Sequence, residues 1–313
     1  MTGKVPLRIG TRGSPLALAQ VKETRDRLCA GHPDLAEPGA VEVVAIKTTG
    51  DRVTDRSLAE IGGKSLFTKE IDEALLSGAV DIAVHSMKDV PTWLPDGLII
   101  GCLLPREDPR DVLCSDKADS IAALPPGAVI GTASLRRQAQ VLGLRPDLEV
   151  VTLRGNVETR LRKLAKGEVD ATLLALAGLR RLGLADRATA VLDPDEILPA
   201  IAQGAIGIAC RADDAHAQVL LAPLNHAPTA ARVAAERALL AVLDGSCHTP
   251  IAGLAEVEGD GALGLRGMLA MPDGSAILRV SRHGGVADAE AMGRDAGEEL
   301  RRTAGPEFFT ALG

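Results

Sequence analysis

Apolar and polar positions fall in blocks along this chain, and the blocks come twice. Leu7 to Ile9 is a short apolar run that reads as a buried strand and stops at Gly10-Thr11. Ser14 then stands where a helix N-cap belongs, with Pro15 at the favoured first helical position, and the pattern predicts a helix ending near Leu28. Val129-Ile130 stops in the same way at Gly131-Thr132, with Ser134 as the cap and Arg136, Arg137 and Gln140 in the helix that follows. A second echo lies further on. A helical pattern over Phe67–Ser77 closes at Gly78, and Ala-Val-Asp81 leads into the apolar strand Ile82-Ala83-Val84. Its counterpart is a helix over Val157–Lys166 closing at Gly167, then Glu-Val-Asp170 and the apolar run Ala171–Ala177. Glycine just past the last turn is a common helix stop.

Strand–helix alternation twice over implies an α/β fold with two domains of like plan. Asp108-Pro109-Arg110-Asp111 reads as one crossover between them and Pro199–Cys210 as the return, so a hinge is expected there. After about Asn225 the pattern changes. A helix over Arg232–Leu243 precedes short strands with hairpin turns at Gly259-Asp260-Gly261, Pro272-Asp273-Gly274 and His283-Gly284-Gly285, then a last helix from about Asp288 to Arg302. This predicts a small C-terminal α+β domain with a three-stranded antiparallel sheet. The expected domains are 1–104 with 203–224, then 110–198, then 225–313.

Composition narrows the function. The chain has 313 residues, 46% hydrophobic and 25% charged, which is globular. With no Tyr, three Phe and one Trp it lacks stacking platforms for single-stranded nucleic acid, and a net charge of −7 opposes a general affinity for phosphate polymers. The N-terminus has no apolar signal-like stretch, and no run approaches the ~20 apolar residues a membrane span needs. Five scattered cysteines (Cys29, Cys102, Cys114, Cys210, Cys247) without a Cys-x-x-Cys pair support neither disulfides nor a zinc site. The expectation is a reduced cytoplasmic protein, not bound to nucleic acid or membrane, and a monomer, since no long amphipathic seam calls for assembly.

Three groups carry candidate chemistry. Asp89 lies just past the strand Ile82-Ala83-Val84, beside Lys88 and before Pro91, at the strand end where open α/β sheets bind ligands. The internal echo sets it opposite Gly178, so the scaffold is repeated and the acid is not. Arg12 and Ser14 at one helix start, and Ser134, Arg136 and Arg137 at the other, offer anion sites, with Arg154, Arg160 and Arg181 able to add to them. If the halves pack face to face these sites line one cleft. The ordinary reading of a single such arginine is a solvated side chain on a capped helix; a cluster of them in a net-acidic chain favours anion binding. Cys247, between Ser246 and His248, reads by itself as a small loop residue.

Gly10-Thr11-Arg12-Gly13-Ser14-Pro15-Leu16-Ala17, Gly62-Gly63-Lys64 with Leu66-Phe67, and His85-Ser86-Met87-Lys88-Asp89-Val90-Pro91 together resemble the porphobilinogen deaminase (hydroxymethylbilane synthase) family. Gly131-Thr132-Ala133-Ser134-Leu135-Arg136-Arg137, Arg154-Gly155-Asn156-Val157, Ala177-Gly178-Leu179, Gln203-Gly204-Ala205 and Gly245-Ser246-Cys247 continue the match in the family's order over nearly the whole chain. The resemblance implies a three-domain fold whose first two domains are like those of periplasmic binding proteins. It implies a dipyrromethane cofactor, held by a thioether to Cys247, onto which four porphobilinogen molecules are condensed with loss of ammonia before water releases linear hydroxymethylbilane. It implies catalytic roles for Asp89, Arg12, Lys88, Arg154 and Arg160. Cofactor contacts are implied for Ser14, Lys88, Asp89, Thr132, Ser134, Arg136, Arg137, Arg154 and Gly155, and substrate contacts for Arg12, Lys64, Ser86, Arg181 and Gln203. Two positions depart from the pattern: Glu60 stands where some relatives have lysine, and Ser65 replaces a common glycine. A solute-binding-type anion module without catalysis is the rival that the echoed halves alone would permit. A phosphate-binding transferase lacks its Gly-x-x-x-x-Gly-Lys loop.

Overall fold

The computed structural model describes residues 6–52, 66–243, 249–259 and 261–312. Lys64 and Cys247, the departures Glu60 and Ser65, and Asp260 of the first expected hairpin turn lie outside the described residues.

Among the described residues ten strands build two five-stranded sheets. β1 (Leu7–Arg12), β2 (Val41–Ile46), β3 (Ile82–Ser86) and β4 (Leu98–Leu103) come first; β5 (Asp111–Ser115), β6 (Val129–Gly131), β7 (Glu149–Val151), β8 (Ala171–Ala175) and β9 (Ala190–Val191) follow; β10 (Ile206–Arg211) returns to the first sheet. The sheet orders are β2-β1-β3-β10-β4 and β7-β6-β8-β5-β9, the same plan twice. In each, a run of three parallel strands meets one antiparallel strand, β10 against β3 and β4, and β5 against β8 and β9. Each antiparallel strand is the one that enters directly from a crossover segment.

The apolar runs are buried on both faces because successive strand residues point to opposite sides. Ile82 and Val84 of β3 join a core with Val21, Leu28 and Leu221, while Ala83 between them joins another with Ile71 and Leu75. The second sheet repeats this: Leu113 and Leu173 pack with Val141, and Val112 and Leu174 with Leu161. Helices therefore cover both faces of each sheet. The echo extends to single hydrogen bonds. Asp81 accepts the Arg8 N–H at 2.8 Å and Asp170 accepts the Val129 N–H at 2.8 Å, each tying the start of a first strand to the residue before a third. Gly78 and Gly167 both take φ +71°, the left-handed helix stop read from the sequence.

The third sheet is antiparallel, β11 (Ile251–Val257), β12 (Ala262–Ala270) and β13 (Ile277–Gly285) in that order. Some local expectations change. His283-Gly284-Gly285 is not a hairpin turn but the end of β13, paired with Gly264, Leu263 and Ala262. Gly284 instead permits close packing: a Cβ there would come within 3.0 Å of the Met292 Sδ. The run Ala171–Ala177 is strand only to Ala175, and a helix over Leu176–Arg181 takes its last residues, since an apolar run alone does not separate strand from buried helix. The helix expected over Phe67–Ser77 spans Lys69–Leu76, and the one expected from Arg232 begins at Ala227. The last helix begins at Ala289 and passes Arg302 to Leu312, broken at Gly305 (φ 71°) before Pro306, which opens the final segment.

Two compact units result, one made of Met1–Val53, Ser65–Glu107 and Ala205–Ala230, the other containing Asp108–Gly204 and Ala231–Gly313. In the second unit the helix over Leu135–Leu144 packs through Ala139 against Ala252, Leu254 and Met268 of the third sheet. Among the described residues no helix is long and apolar enough to cross a membrane.

Gly293 lets two helices of this unit approach closely: a Cβ there would lie 2.1 Å from the Ala235 carbonyl oxygen and 2.7 Å from the Ala238 Cβ. Gly293→Ala is expected to lower unfolding free energy by roughly 1–3 kcal/mol by overpacking. Urea unfolding checks this, and an unchanged midpoint would show that the two helices part without strain.

Candidate active site

In the first unit the chemistry gathers at the carboxyl ends of β1 and β3. Arg12 is the last residue of β1, and Ser86 is the last residue of β3, followed by a single 3₁₀ turn over Met87–Asp89. Ser14 caps the helix Pro15–Gly31, its hydroxyl accepting the Ala17 N–H at 3.3 Å. Thr11, Arg12, Ser14, Gln20, Phe67 and Asp89 line one pocket. The Arg12 guanidinium is clamped inside it. Its Nε donates to Asp51 Oδ1 at 3.1 Å, its Nη2 donates to the same oxygen, and its Cζ lies 4.2 Å from the centre of the Phe67 ring. Nη1 is left facing Asp89 Oδ2 at 3.9 Å, an ion pair too long to be a hydrogen bond. Burial would raise the Asp51 carboxyl, but hydrogen bonds from Arg12 and Thr48 outweigh it and hold the group below the usual carboxylate range. Lys88 is exposed and Asp89 is one-third exposed, with 33% of its side chain open.

In the second unit the arginines are less open than a solvated cluster would be. Ser134 caps the helix Leu135–Leu144, accepting the Arg137 N–H at 3.4 Å, and the Thr132 hydroxyl accepts the Ser134 N–H at 3.1 Å. Arg136 and Arg137 each keep 6% side-chain exposure and share one fully buried carboxylate: their Nη2 atoms meet Asp111 Oδ2 at 2.7 Å and Oδ1 at 2.8 Å. Their Nη1 atoms donate to the Leu198 and Leu173 carbonyls at 2.7 and 2.8 Å. Gln203, also buried, donates through Nε2 to Asp111 Oδ1 at 2.8 Å and to the Pro109 carbonyl at 2.7 Å. Burial would raise the Asp111 carboxyl, yet the two guanidiniums and Gln203 hold it far below the ordinary range.

Arg154 and Gly155 precede the helix Val157–Ala165, whose cap Asn156 accepts the Thr159 N–H at 2.8 Å. Gly155 takes φ +122°, and a Cβ there would come within 2.6 Å of Thr159. Arg160 Nε donates to the Gly155 carbonyl at 2.8 Å, and Arg181 Nη2 to the Gly204 carbonyl at 3.1 Å. The predicted residues divide between the units: Arg12, Ser14, Ser86, Lys88 and Asp89 lie in one, and Thr132, Ser134, Arg136, Arg137, Arg154, Gly155, Arg160, Arg181 and Gln203 in the other, where Arg154, Gly155 and Arg160 sit on a loop–helix start of their own.

The sequence reading missed Asp51 and Asp111 as site residues. In the sequence Asp111 reads only as part of a crossover. The signal for it was an acid opening the apolar run Val112-Leu113-Cys114, since a carboxylate drawn into a core must find a cation. Cys102 and Cys114 are inert, burial pushing their thiols up to about 12 and about 11.

Residues 7–219 match a family model described as porphobilinogen deaminase, dipyromethane cofactor binding domain, and residues 230–302 match the porphobilinogen deaminase C-terminal domain. The chain is 60% identical over 309 residues to the chloroplastic porphobilinogen deaminase of Oryza sativa subsp. japonica, covering 98% of this chain and 86% of that one. It is 58% identical over 304 residues to the porphobilinogen deaminase of Paracoccus denitrificans, covering 97% and 96%. Among solved structures it is similar to a periplasmic substrate-binding protein of an ABC transporter from Coxiella burnetii, with a TM-score of 0.42 and 17% identity over 70% of this chain and 91% of that one.

Inside the first pocket, His85 titrates against burial. Burial holds its imidazole down at about 4 from the ordinary 6.5, so the unfolded chain binds the extra proton between these values and stability falls as pH drops through that window. Asp72, pushed up by burial to about 6 from 3.8, acts in the opposite direction over much of the same range. His85→Gln leaves Asp72 unopposed. The stability of this variant relative to the parent is expected to rise by on the order of 3 kcal/mol between pH 7 and pH 4. Urea midpoints across that range test it, and a constant difference would refute the buried neutral imidazole.

Proposed function

The chain belongs to the porphobilinogen deaminase family, and from that membership we propose residue roles for the condensation it carries out. The enzyme joins four porphobilinogen molecules with loss of ammonia and releases linear hydroxymethylbilane by hydrolysis. The dipyrromethane, when bound, would supply a terminal pyrrole carbon for the first substrate to join, that carbon giving up its proton as the new bond forms. The solute-binding alternative is not favoured: the match runs through both the cofactor-binding and the C-terminal domain models.

The described residues fit such a group. Pyrroles with acetate and propionate arms need cationic donors. Arg136 and Arg137 place two guanidiniums against one carboxylate, and the Nε of each is buried with no hydrogen-bond partner among the described residues. One positive charge is therefore uncompensated within that cluster. Arg154 and Gly155 would hold further carboxylate oxygens at the start of the helix Val157–Ala165, aided by its exposed N–H groups. Ser14, Thr132 and Ser134 would contribute hydroxyls, and Cys247 the thioether sulfur.

Asp89 is the catalytic carboxylate in this reading. The observation that carries it is its place at the close of β3 with Arg12 Nη1 at 3.9 Å, near enough to pair with it and not hydrogen-bonded to it. The protonated aminomethyl group of porphobilinogen leaves as ammonia, and the positive charge stays on the azafulvene, shared with the ring nitrogen. Asp89 accepts that ring N–H and faces the developing cation. Arg12, with its outer edge fixed by Asp51, offers Nη1 to a substrate carboxylate; Lys88, Arg154 and Arg160 share the catalytic positioning. Lys64, Ser86, Arg181 and Gln203 bind substrate. The proposed domains are 1–104 with 203–224 (Asp89), 110–198 (the arginine loops) and 225–313 (Cys247). The enzyme works as a cytoplasmic monomer in this proposal, consistent with the absence of a membrane-spanning helix among the described residues.

Asp89→Asn is expected to lower kcat by about a hundredfold or more while KM for porphobilinogen changes only a few-fold, because the lost interaction belongs to the transition state. Steady-state kinetics check this, and near-parental kcat would remove the role. Intact mass is the second measurement: the parent carries an addition of dipyrromethane size and Cys247→Ser does not. An unmodified mass in active parent protein would sink the cofactor assignment.

A further inference from the structure

The two halves of the repeat can be superposed by position, and one buried cluster is present in only one of them. Ser14 and Ser134 are corresponding caps, so Leu16 and Ala17 of the first unit correspond to Arg136 and Arg137 of the second. The antiparallel strand β10 opens with Ile206, opposite Ser86 at the end of β3; β5 opens with Asp111, opposite Ala175 at the end of β8. Where one half has Leu, Ala and Ile, the other has Arg, Arg and a fully buried Asp. The same scaffold folds with apolar residues at these three places. Buried ionic triads are commonly replaceable by apolar groups without loss of stability, so stability does not explain this one.

We infer that Asp111 is a positioning residue, which sets the spacing and direction of Arg136 and Arg137 so that their free Nε edges and one net positive charge face the carboxylates of the dipyrromethane. The inference rests on the reading of these two arginines as cofactor contacts. Its geometry is that of a divider. Asp111 gives one oxygen to each guanidinium, at 2.7 and 2.8 Å, and each guanidinium is anchored by a backbone carbonyl on its other terminal nitrogen. Both Nη positions of each arginine are therefore occupied, and Nε is what remains. Without the shared carboxylate, two like charges in a dry site would repel and turn apart. Gln203 completes the device, binding Asp111 Oδ1 from the return crossover and the Pro109 carbonyl from the outgoing one.

The test is cofactor loading, read by intact mass on purified full-length protein beside thermal unfolding. Asp111→Asn keeps the shape and removes the charge. It is expected to fold with a lowered melting temperature, as the Asp81→Asn control does, and with a loaded fraction lower by about tenfold or more, since displacements of about 1 Å have effects of that size or larger on preorganised sites. Asp81→Asn is the control: Asp81 also meets two arginines, Arg8 at 2.7 Å and Arg211 at 3.9 Å, in the first unit. It should lose stability and load fully. Full loading of folded Asp111→Asn, or an equal loss of loading in Asp81→Asn, overturns the inference. Should Asp111→Asn fail to fold, Asp111→Glu decides, because it keeps the charge and shifts both guanidiniums by the length of one methylene. A similar loss of loading supports positioning, and normal loading overturns it. A parent chain with no added mass sinks the cofactor reading and this inference together, a result distinct from failure of Asp111 alone.

Discussion

Two guanidiniums can be drawn into the interior of a protein only if a carboxylate goes with them, and Asp111 is that carboxylate for Arg136 and Arg137. Much else is arranged around it. Both crossover segments end there, because Gln203 ties the Pro109 carbonyl to Asp111 Oδ1. The helix Leu135–Leu144 is fixed to β5 by its first-turn arginines and to the third sheet by Ala139. Gln140 of the same helix exchanges hydrogen bonds with Leu198, accepting its N–H at 2.7 Å and donating to its carbonyl at 3.1 Å. A loop that leaves the sheet, a loop that returns, and a helix that carries cationic groups thus meet at one ionised residue.

The repeat explains why this arrangement stands out. Duplicated scaffolds keep what folding needs, and here that is the strand order, the glycine stops and the paired carboxylates Asp81 and Asp170. They diverge where chemistry differs. One half places Arg12, Asp51, Phe67 and Asp89 at its strand ends; the other buries Asp111 with its two arginines and opens Arg154 and Gly155 on a separate loop. The division suits a reaction in which every added pyrrole brings two more carboxylates. Fixed cations gather in specific loops even though the chain as a whole is net acidic at −7, since local charge and not the total meets a bound anion.

What could be read from the sequence was whatever depends on neighbouring residues. Ser14 and Ser134 as caps, Gly78 and Gly167 as stops, and Asp89 past a strand end are all local patterns, and the structure has them. His283-Gly284-Gly285 was misread because a glycine pair signals a turn only when nothing packs against it, and here Met292 does. Arg136 and Arg137 were identified, but their burial was not, because their partner Asp111 lies 26 residues from Arg137 and the pairing is set by the strand order β8-β5. Asp51 was missed for the same reason, lying 39 residues from the Arg12 it clamps. Ion pairs between distant residues leave no periodic trace in the chain.

Asp111 and Asp89 are held in opposite ways, and the difference suits the tasks proposed for them. Asp111 is tightly held: Oδ1 accepts hydrogen bonds from Arg137 and Gln203, and Oδ2 pairs with Arg136 at 2.7 Å in a dry site, so removing a partner there is strongly unfavourable. It never has to let go. Asp89 is one-third exposed and meets Arg12 at 3.9 Å. Had Arg12 turned its forked edge to Asp89, each incoming pyrrole N–H would have had to displace charge-assisted hydrogen bonds worth about 1.5–3 kcal/mol each. Asp51 takes that edge instead, and Phe67 covers the face of the guanidinium. The positive charge stays within ion-pair distance of Asp89, while its oxygens remain exchangeable. In the role proposed for Asp89, accepting a new N–H with every substrate added requires that looseness, and it is Asp51 that supplies it.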